Sequence, residues 1–273
     1  MNPGDFQMLT ELVKARSGLV LSDDKVYLVK SRLMPLVRKR GMNGLDELVG
    51  AIREGKDQTL PDEVTEVMTT NESYFFRDVR PFEQFRTFVL PKLLEANDAT
   101  RKIRIWSAAS SNGQEPYTVA MILKDEAAKL NGWNVEILAT DIAKGVLEKA
   151  KAGVYSQFEV QRGLPVQYLM KYFKETGQGW EIDPSLRAMV KFKEFNLLDG
   201  MTSLGRFDLV FCRNVLIYFD QPTKSDVLNR ISQQMAEHAV MYLGGAETVL
   251  GICDKFKPIP DQRGIYALES VLN

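Results

Sequence analysis

From residue 102 onward the chain alternates between short apolar runs and amphipathic segments, and this alternation constrains its fold more than any other feature. The runs "KIRIWSAA" (102–109), "NVEILATD" (134–141), "MVKFKEFN" (189–196), "FDLVFCRN" (207–214) and "AVMYLGG" (239–245) read as strands that end in small or polar residues. Helical patterns fill intervals such as 115–130 and 143–152. Strands separated by helices pair in parallel, so the order predicts an α/β fold with a doubly wound, mostly parallel sheet. "GIYALES" (264–270) follows "AVMYLGG" after a connection too short for a helical crossover, which predicts a last antiparallel strand. The stretch 153–188 is longer than an ordinary crossover. "GQGWEID" within it reads as a hairpin, part of a small β insertion at about 170–188.

Residues 1–70 carry no strand pattern and read as an all-α domain. Phe6, Leu9, Leu12 and Val13 recur at helical spacing, with Gly18 as a stop. Ser22, Asp23 and Asp24 open a helix to about Arg40, striped by Val26, Val29, Leu33, Leu36 and Val37 and interrupted by Pro35. Leu45, Leu48, Val49 and Ile52 make a third helix before Gly55; Val64, Val67 and Met68 make a fourth after Pro61. Residues 71–91 read as a linker and 92–273 as the α/β domain.

Counting excludes several functions. Net charge is −1, so no global field recruits nucleic acid or anionic lipid. Two cysteines and one histidine leave no Cys/His metal site. Cys212, in an apolar run, reads as a small buried hydrophobe, and His238, at a polar helix end, has no assigned role. "MNPGDFQMLT" has neither a basic nor an apolar region, and no apolar run approaches the ~20 residues of a membrane span. The expectation is a cytoplasmic protein that does not insert in membranes.

Open α/β sheets bind ligands at the carboxyl ends of their strands. The first strand is followed by "SAASSNGQEPY", whose small residues and Gly113 let backbone approach a ligand. A single glycine falls short of a dinucleotide fingerprint, and Glu115 puts negative charge where a pyrophosphate would sit. Asp141 ends the second strand, where it either accepts from a ribose diol or caps the next helix. Asn196 and Leu197 suit the edge and face of an adenine, or simply form a turn. Arg213 and Asn214 follow the fourth strand, and Tyr218 lies one helical turn beyond, facing the same cleft or packed in the core. Together these positions describe a pocket for S-adenosylmethionine, which carries a sulfonium, an ammonium and a carboxylate but no phosphate. The connector "TTNESYFFR" (69–77) can lie across the mouth of that cleft. Phe75 and Phe76 would pack it down, while Asn71, Ser73 and Arg77 supply polar groups; the alternative is an apolar staple between domains with Arg77 solvated.

With these segments in view, the sequence resembles the chemoreceptor glutamate methyltransferases of bacterial chemotaxis, the CheR family. The matching stretches are "TTNESYFFR", "WSAASSNGQEPYT", "ATDIAKGVLEKAKAGVYS", "FKEFNLLD", "FDLVFCRNVLIYFD" and "GGAETV". The resemblance implies methyl transfer from S-adenosylmethionine to glutamate side chains on receptor cytoplasmic helices, giving a methyl ester and S-adenosylhomocysteine. It implies cofactor contacts at Asn71, Ser73, Arg77, Glu115, Asp141, Asn196, Leu197, Arg213 and Asn214, and a tyrosine near the transferred methyl at Tyr218. Ser73 stands where many members have threonine, and Gln114 where many have a second glutamate. Family members can grip a receptor's carboxyl-terminal peptide on the β insertion; "KETGQGWEID" looks short for that, so no such tether is expected.

A glutamate acceptor, with a pKa near ~4.3, is already ionised at neutral pH, so this chemistry needs no general base. Arg77 and Tyr218 are expected to orient the acceptor and the methionine end. Lys25, Lys30, Arg32, Arg38, Lys39 and Arg40 put six cations and no anion on 25–40. Lys25, Arg32 and Lys39 share a face, and Arg32 and Arg38 match family receptor contacts; the helix is therefore expected to dock acidic receptor helices rather than nucleic acid, the alternative being a merely solvated face. The competing function is a non-catalytic module that senses S-adenosylmethionine or scaffolds receptors.

Overall fold

The computed structural model describes residues 2–269 and resolves the chain into two units. Everything up to Thr70 joins Tyr218–Thr223 in the first; Asn71–Ile217 and the chain from Lys224 onward form the second. In the first unit, helix α1 (Pro3–Ser17) starts where Asn2 accepts from the Asp5 amide and ends at Gly18, whose φ of 79° closes the last turn. A 3₁₀ turn (Asp23–Lys25) precedes α2 (Val26–Lys39), which continues through Pro35. Helices α3 (Leu45–Glu54) and α4 (Leu60–Met68) complete the bundle, α3 closing on Gly55. Their stripes bury Leu9, Val13, Val29, Leu33, Leu48, Leu60 and Val64 in one cluster. Leu19 forms an isolated antiparallel bridge with Phe219 of the returning segment.

The second unit turns helical earlier than the expected domain start. Helix α5 (Arg80–Gln84), a π turn (Phe85–Val89) and α6 (Leu90–Ala96) run almost without a break, so 80–91 is helical. The alternating part follows as β1 (Lys102–Ala108), α7 (Gln114–Asp125), β2 (Asn134–Asp141) and α8 (Lys144–Ala152). Next come β3 (Val154–Tyr155), α9 (Gln157–Gln161), α10 (Val166–Tyr172), β4 (Phe173–Thr176), β5 (Gly179–Ile182) and α11 (Pro184–Arg187). The chain closes with β6 (Val190–Glu194), β7 (Phe207–Cys212), α12 (Gln221–Gln233), β8 (Met235–Leu243), β9 (Phe256–Pro258) and β10 (Ile265–Leu268).

Seven strands form the main sheet in the order β6-β2-β1-β7-β8-β10-β9. The first five are parallel, and β10 runs antiparallel to β8. Ser270, the last residue of the expected strand 264–270, lies outside the described residues. Strand β9, paired antiparallel with β10, has three residues and no legible alternation. The edge strands resist further pairing: β6 exposes Lys191 and Lys193, and β9 ends in Pro258. The expected hairpin is β4–β5, but Val154 and Tyr155 add a third strand, so the insertion begins well before residue 170. His238 lies within β8 rather than at a helix end, its Nε2 2.8 Å from Asp208 Oδ1.

The insertion is tied to the sheet layer by buried aromatics and one carboxylate. Phe75 packs edge-on against Tyr155 and Phe173, ring centroids 5.0 and 5.4 Å apart. At the end of α7, Asp125 Oδ1 accepts from Lys171 Nζ at 2.6 Å and the Tyr172 hydroxyl at 2.8 Å. Burial alone would raise its pKa, but these donors and Tyr168 outweigh it and hold the carboxyl at about 2. A carboxyl depressed in the folded state stabilises above its unfolded pKa, and that stability disappears as pH falls from about 4 through 2. Asp125→Asn should therefore lower the unfolding free energy at pH 7 by on the order of 1 kcal/mol, allowing for solvent screening, with the gap from wild type closing toward pH 2 in urea titrations.

Candidate active site

The carboxyl ends of β1 and β7 converge on one buried guanidinium. Arg213, just past β7, is 5% exposed. Its Nη1 donates to Glu115 Oε2 at 2.9 Å, and its Nη2 donates to Asp78 Oδ2 at 2.7 Å and to the Arg77 carbonyl at 2.9 Å. Glu115 Oε1 accepts from Ser107 Oγ at 2.8 Å. Burial pushes the Glu115 carboxyl up, and Arg213 beside it opposes that rise. The positive partner of Glu115 is thus supplied by the protein.

The loop between β1 and α7 is strained. Ala109, Ser111 and Gly113 have φ of 57°, 51° and 86°, alternating with ordinary residues. Gly113 is needed for packing: a Cβ there would lie 2.9 Å from Ala150 Cβ and 3.3 Å from the Phe192 ring. Asp141, 5% exposed, braces two stretches of backbone with one carboxylate. Its Oδ1 accepts from the Ala143 amide at 2.9 Å in a turn just ahead of α8, and its Oδ2 accepts from the Ser111 amide at 2.8 Å, fixing the loop. Asn196 Oδ1 accepts from the Leu198 amide at 3.0 Å, closing the turn that carries buried Leu197.

The strap from Asn71 to Val79 is bonded to this framework. Ser111 Oγ donates to the Asn71 carbonyl at 2.7 Å, and the Phe76 amide donates to Thr118 Oγ1 of α7 at 3.2 Å. Phe75 and Phe76 are buried, and Phe76, Asp78 and Val79 all have positive φ. Arg77 Nη1 donates to the Glu72 carbonyl at 2.8 Å, and the Tyr74 ring lies between the guanidinium groups of Arg77 and Arg162, 5.5 and 4.4 Å away. Ser73 is half-buried. Ser110 Oγ, Gln114 Oε1 and Arg213 Nε are buried without a partner. These unpaired polar atoms, beside Asp141 and without a phosphate cradle, fit a nucleoside with a zwitterionic amino-acid tail.

Two groups of expected site residues lie in the first unit. Tyr218 belongs to the first unit: it packs on that unit's cluster, and its carbonyl accepts from the Val20 amide at 2.9 Å. The basic helix is not uniformly free. Arg32 turns inward to the end of α4, donating to the Met68 and Thr69 carbonyls and to Thr70 Oγ1 at 2.8 Å, so it serves as a helix cap. Lys25 sits in the 3₁₀ turn ahead of α2, paired with Asp24 at 3.0 Å, and Lys39 and Arg40 pair with Glu63. Lys30 and Arg38 are exposed and make no ion pair among the described residues. The sequence reading assigned no role to Glu247, which lies in "GGAETV". Its Oε2 accepts from the Asn214 and Gly244 amides at 2.7 Å each, and its Oε1 from the Val215 and Ile217 amides at 3.0 and 3.2 Å.

Removing one partner of a buried pair leaves the other charge uncompensated. Arg213→Met should therefore destabilise the second unit by about 3–5 kcal/mol, and Arg213→Met with Glu115→Gln should recover part of that loss in urea denaturation.

Comparison with known proteins agrees with this geometry. The description "CheR methyltransferase, all-alpha domain" matches residues 4–69, and "CheR methyltransferase, SAM binding domain" matches 71–265. Chemotaxis protein methyltransferase 1 of Pseudomonas aeruginosa is 41% identical over 266 residues, covering 96% of each chain. A chemotaxis protein methyltransferase of Pseudomonas putida is 39% identical over the same length, again covering 96% of each chain. That of Vibrio parahaemolyticus is 38% identical over 264 residues, covering 96% of this chain and 95% of its own. An all-α unit, a mostly parallel sheet and a polar rim at the strand ends, matched along nearly the whole length, mean that this chain belongs to the CheR methyltransferase family.

Proposed function

We propose that the protein transfers a methyl group from S-adenosylmethionine to glutamate side chains of chemoreceptor cytoplasmic helices, releasing S-adenosylhomocysteine. The observation that carries this reading is the strap Asn71–Val79, bonded across the ends of β1 and β7 beside Asp141. When bound, the cofactor supplies an electrophilic methyl on a sulfonium. Asp141 holds the ribose diol, Asn196 and Leu197 take the adenine, and Ser73, Arg77 and Asn214 face the amino-acid end. Glu115 and Arg213 neutralise each other and keep the loop and the strap in place. The acceptor carboxylate arrives ionised, so no residue need remove a proton. Opposite charges annihilate in the displacement; a site from which water is excluded by Phe75 and Phe76 favours that step over the same step in water. Arg77 and Tyr218 orient the acceptor.

Receptor docking rests on α2. With Arg32 committed to α4, the accessible cations are Lys30 and Arg38, flanked by Lys25 and Lys39, and they complement an acidic helix. The hairpin β4–β5 has four-residue strands joined through Gly177–Gln178, and receptor capture is proposed not to depend on a carboxyl-terminal tether. Among the described residues no helix is long and apolar enough to cross a membrane, and the proposed location is the cytoplasm, beside the receptors' inner domains.

The deciding assay incubates the chain with methyl-labelled cofactor and receptor-enriched membranes, then applies mild base. Label released as methanol supports a glutamyl ester. Base-stable label would refute it, and cofactor binding without any label would favour a sensing module. Arg77→Ala should lower kcat by about a hundredfold or more while changing cofactor affinity far less; equal losses would reduce Arg77 to a cofactor anchor. Arg38→Glu should raise the KM for receptor by about threefold to tenfold at low salt, whereas Arg32→Glu should chiefly lower thermal stability.

A further inference from the structure

We infer that Glu247 is a positioning residue for the cofactor site, acting through Asn214; the inference rests on the reading of Asn214 as a cofactor contact. A carboxylate has two oxygens with about four acceptor positions. Glu247 fills them with four backbone amides, those of Asn214, Val215, Ile217 and Gly244. Three come from the segment after β7 and one from the loop after β8. These amides take no part in the sheet ladder, so a single side chain supplies the acceptors that would otherwise come from water.

The geometry is specific. Asn214 has φ of 59°, a left-handed conformation that asparagine adopts more readily than most residues and that the Glu247 contacts hold in place. Its amide points at Glu247 Oε2 2.7 Å away. Gly244 must be glycine for the same contact, because a Cβ there would lie 2.7 Å from both Glu247 Oε2 and Asn214 Nδ2. Glu247 thus fixes the backbone turn that carries the Asn214 side chain, next in the chain to Arg213 and its ion cluster. Glutamine cannot substitute, since its amide nitrogen is a donor facing donors.

The test is a double-mutant cycle on S-adenosylhomocysteine affinity by calorimetry, using the full chain, Glu247→Gln, Asn214→Ala and the double variant. Glu247→Gln should weaken binding about tenfold. The double variant should lose scarcely more than the worse single variant, because both changes remove one correctly aimed amide. A single-variant affinity equal to wild type, or losses that simply multiply, would overturn the inference. If Glu247→Gln does not fold, the same cycle with Glu247→Asp applies: it keeps the charge and both oxygens and loses only the reach. Absence of binding by the wild-type chain would instead sink the cofactor reading itself.

Discussion

The structure of the second unit depends on one desolvated guanidinium. Arg213 joins α7 through Glu115, the strap through Asp78 and the Arg77 carbonyl, and β7 through its own backbone. A buried cation is tolerated only when its donors meet acceptors, and its two terminal nitrogens do so here. Phe76, Asp78 and Val79 occupy backbone regions that cost free energy, and Arg213 grips the chain at residues 77 and 78 in their midst. The aromatic anchors on one side and the ion cluster on the other hold the strap between them.

The second organising theme is that carboxylates here shape backbone. Asp141 closes the turn ahead of α8 while bracing the strained loop, and Glu247 gathers four amides from two loops. Glu115, which looks in isolation like a catalytic acid, is occupied by Ser107 and Arg213. For a nucleophile that is ionised before it arrives, such a division of labour is chemically sensible. The catalytic demand is for position and dryness, and fixed loops meet it.

Much of this was legible in the sequence for definite reasons. The bounds of β2 follow from an apolar run that stops at a carboxylate, and the order of parallel strands follows from the helices between them. Strands β3 and β9 were not legible because two or three residues cannot display a period. The strain at Ala109, Ser111 and Asn214 was hidden because these are not glycines; tertiary contacts impose it. The inward turn of Arg32 was not legible because a run of cations does not reveal which one turns toward the carbonyl ends of a neighbouring helix. Glu247 was overlooked because its partners are main-chain amides about thirty residues earlier, which carry no residue-type signal.

The excursion Tyr218–Thr223 bears on how such a chain can be rearranged over evolutionary time. The helical unit is completed by six residues encoded far downstream, paired to it at Leu19 and Val20. A recombination joint placed after Thr70 would therefore strand a fragment of one module inside the other. Swapping receptor-reading bundles between lineages would require two coordinated crossovers, so these halves are expected to travel together as one inherited piece.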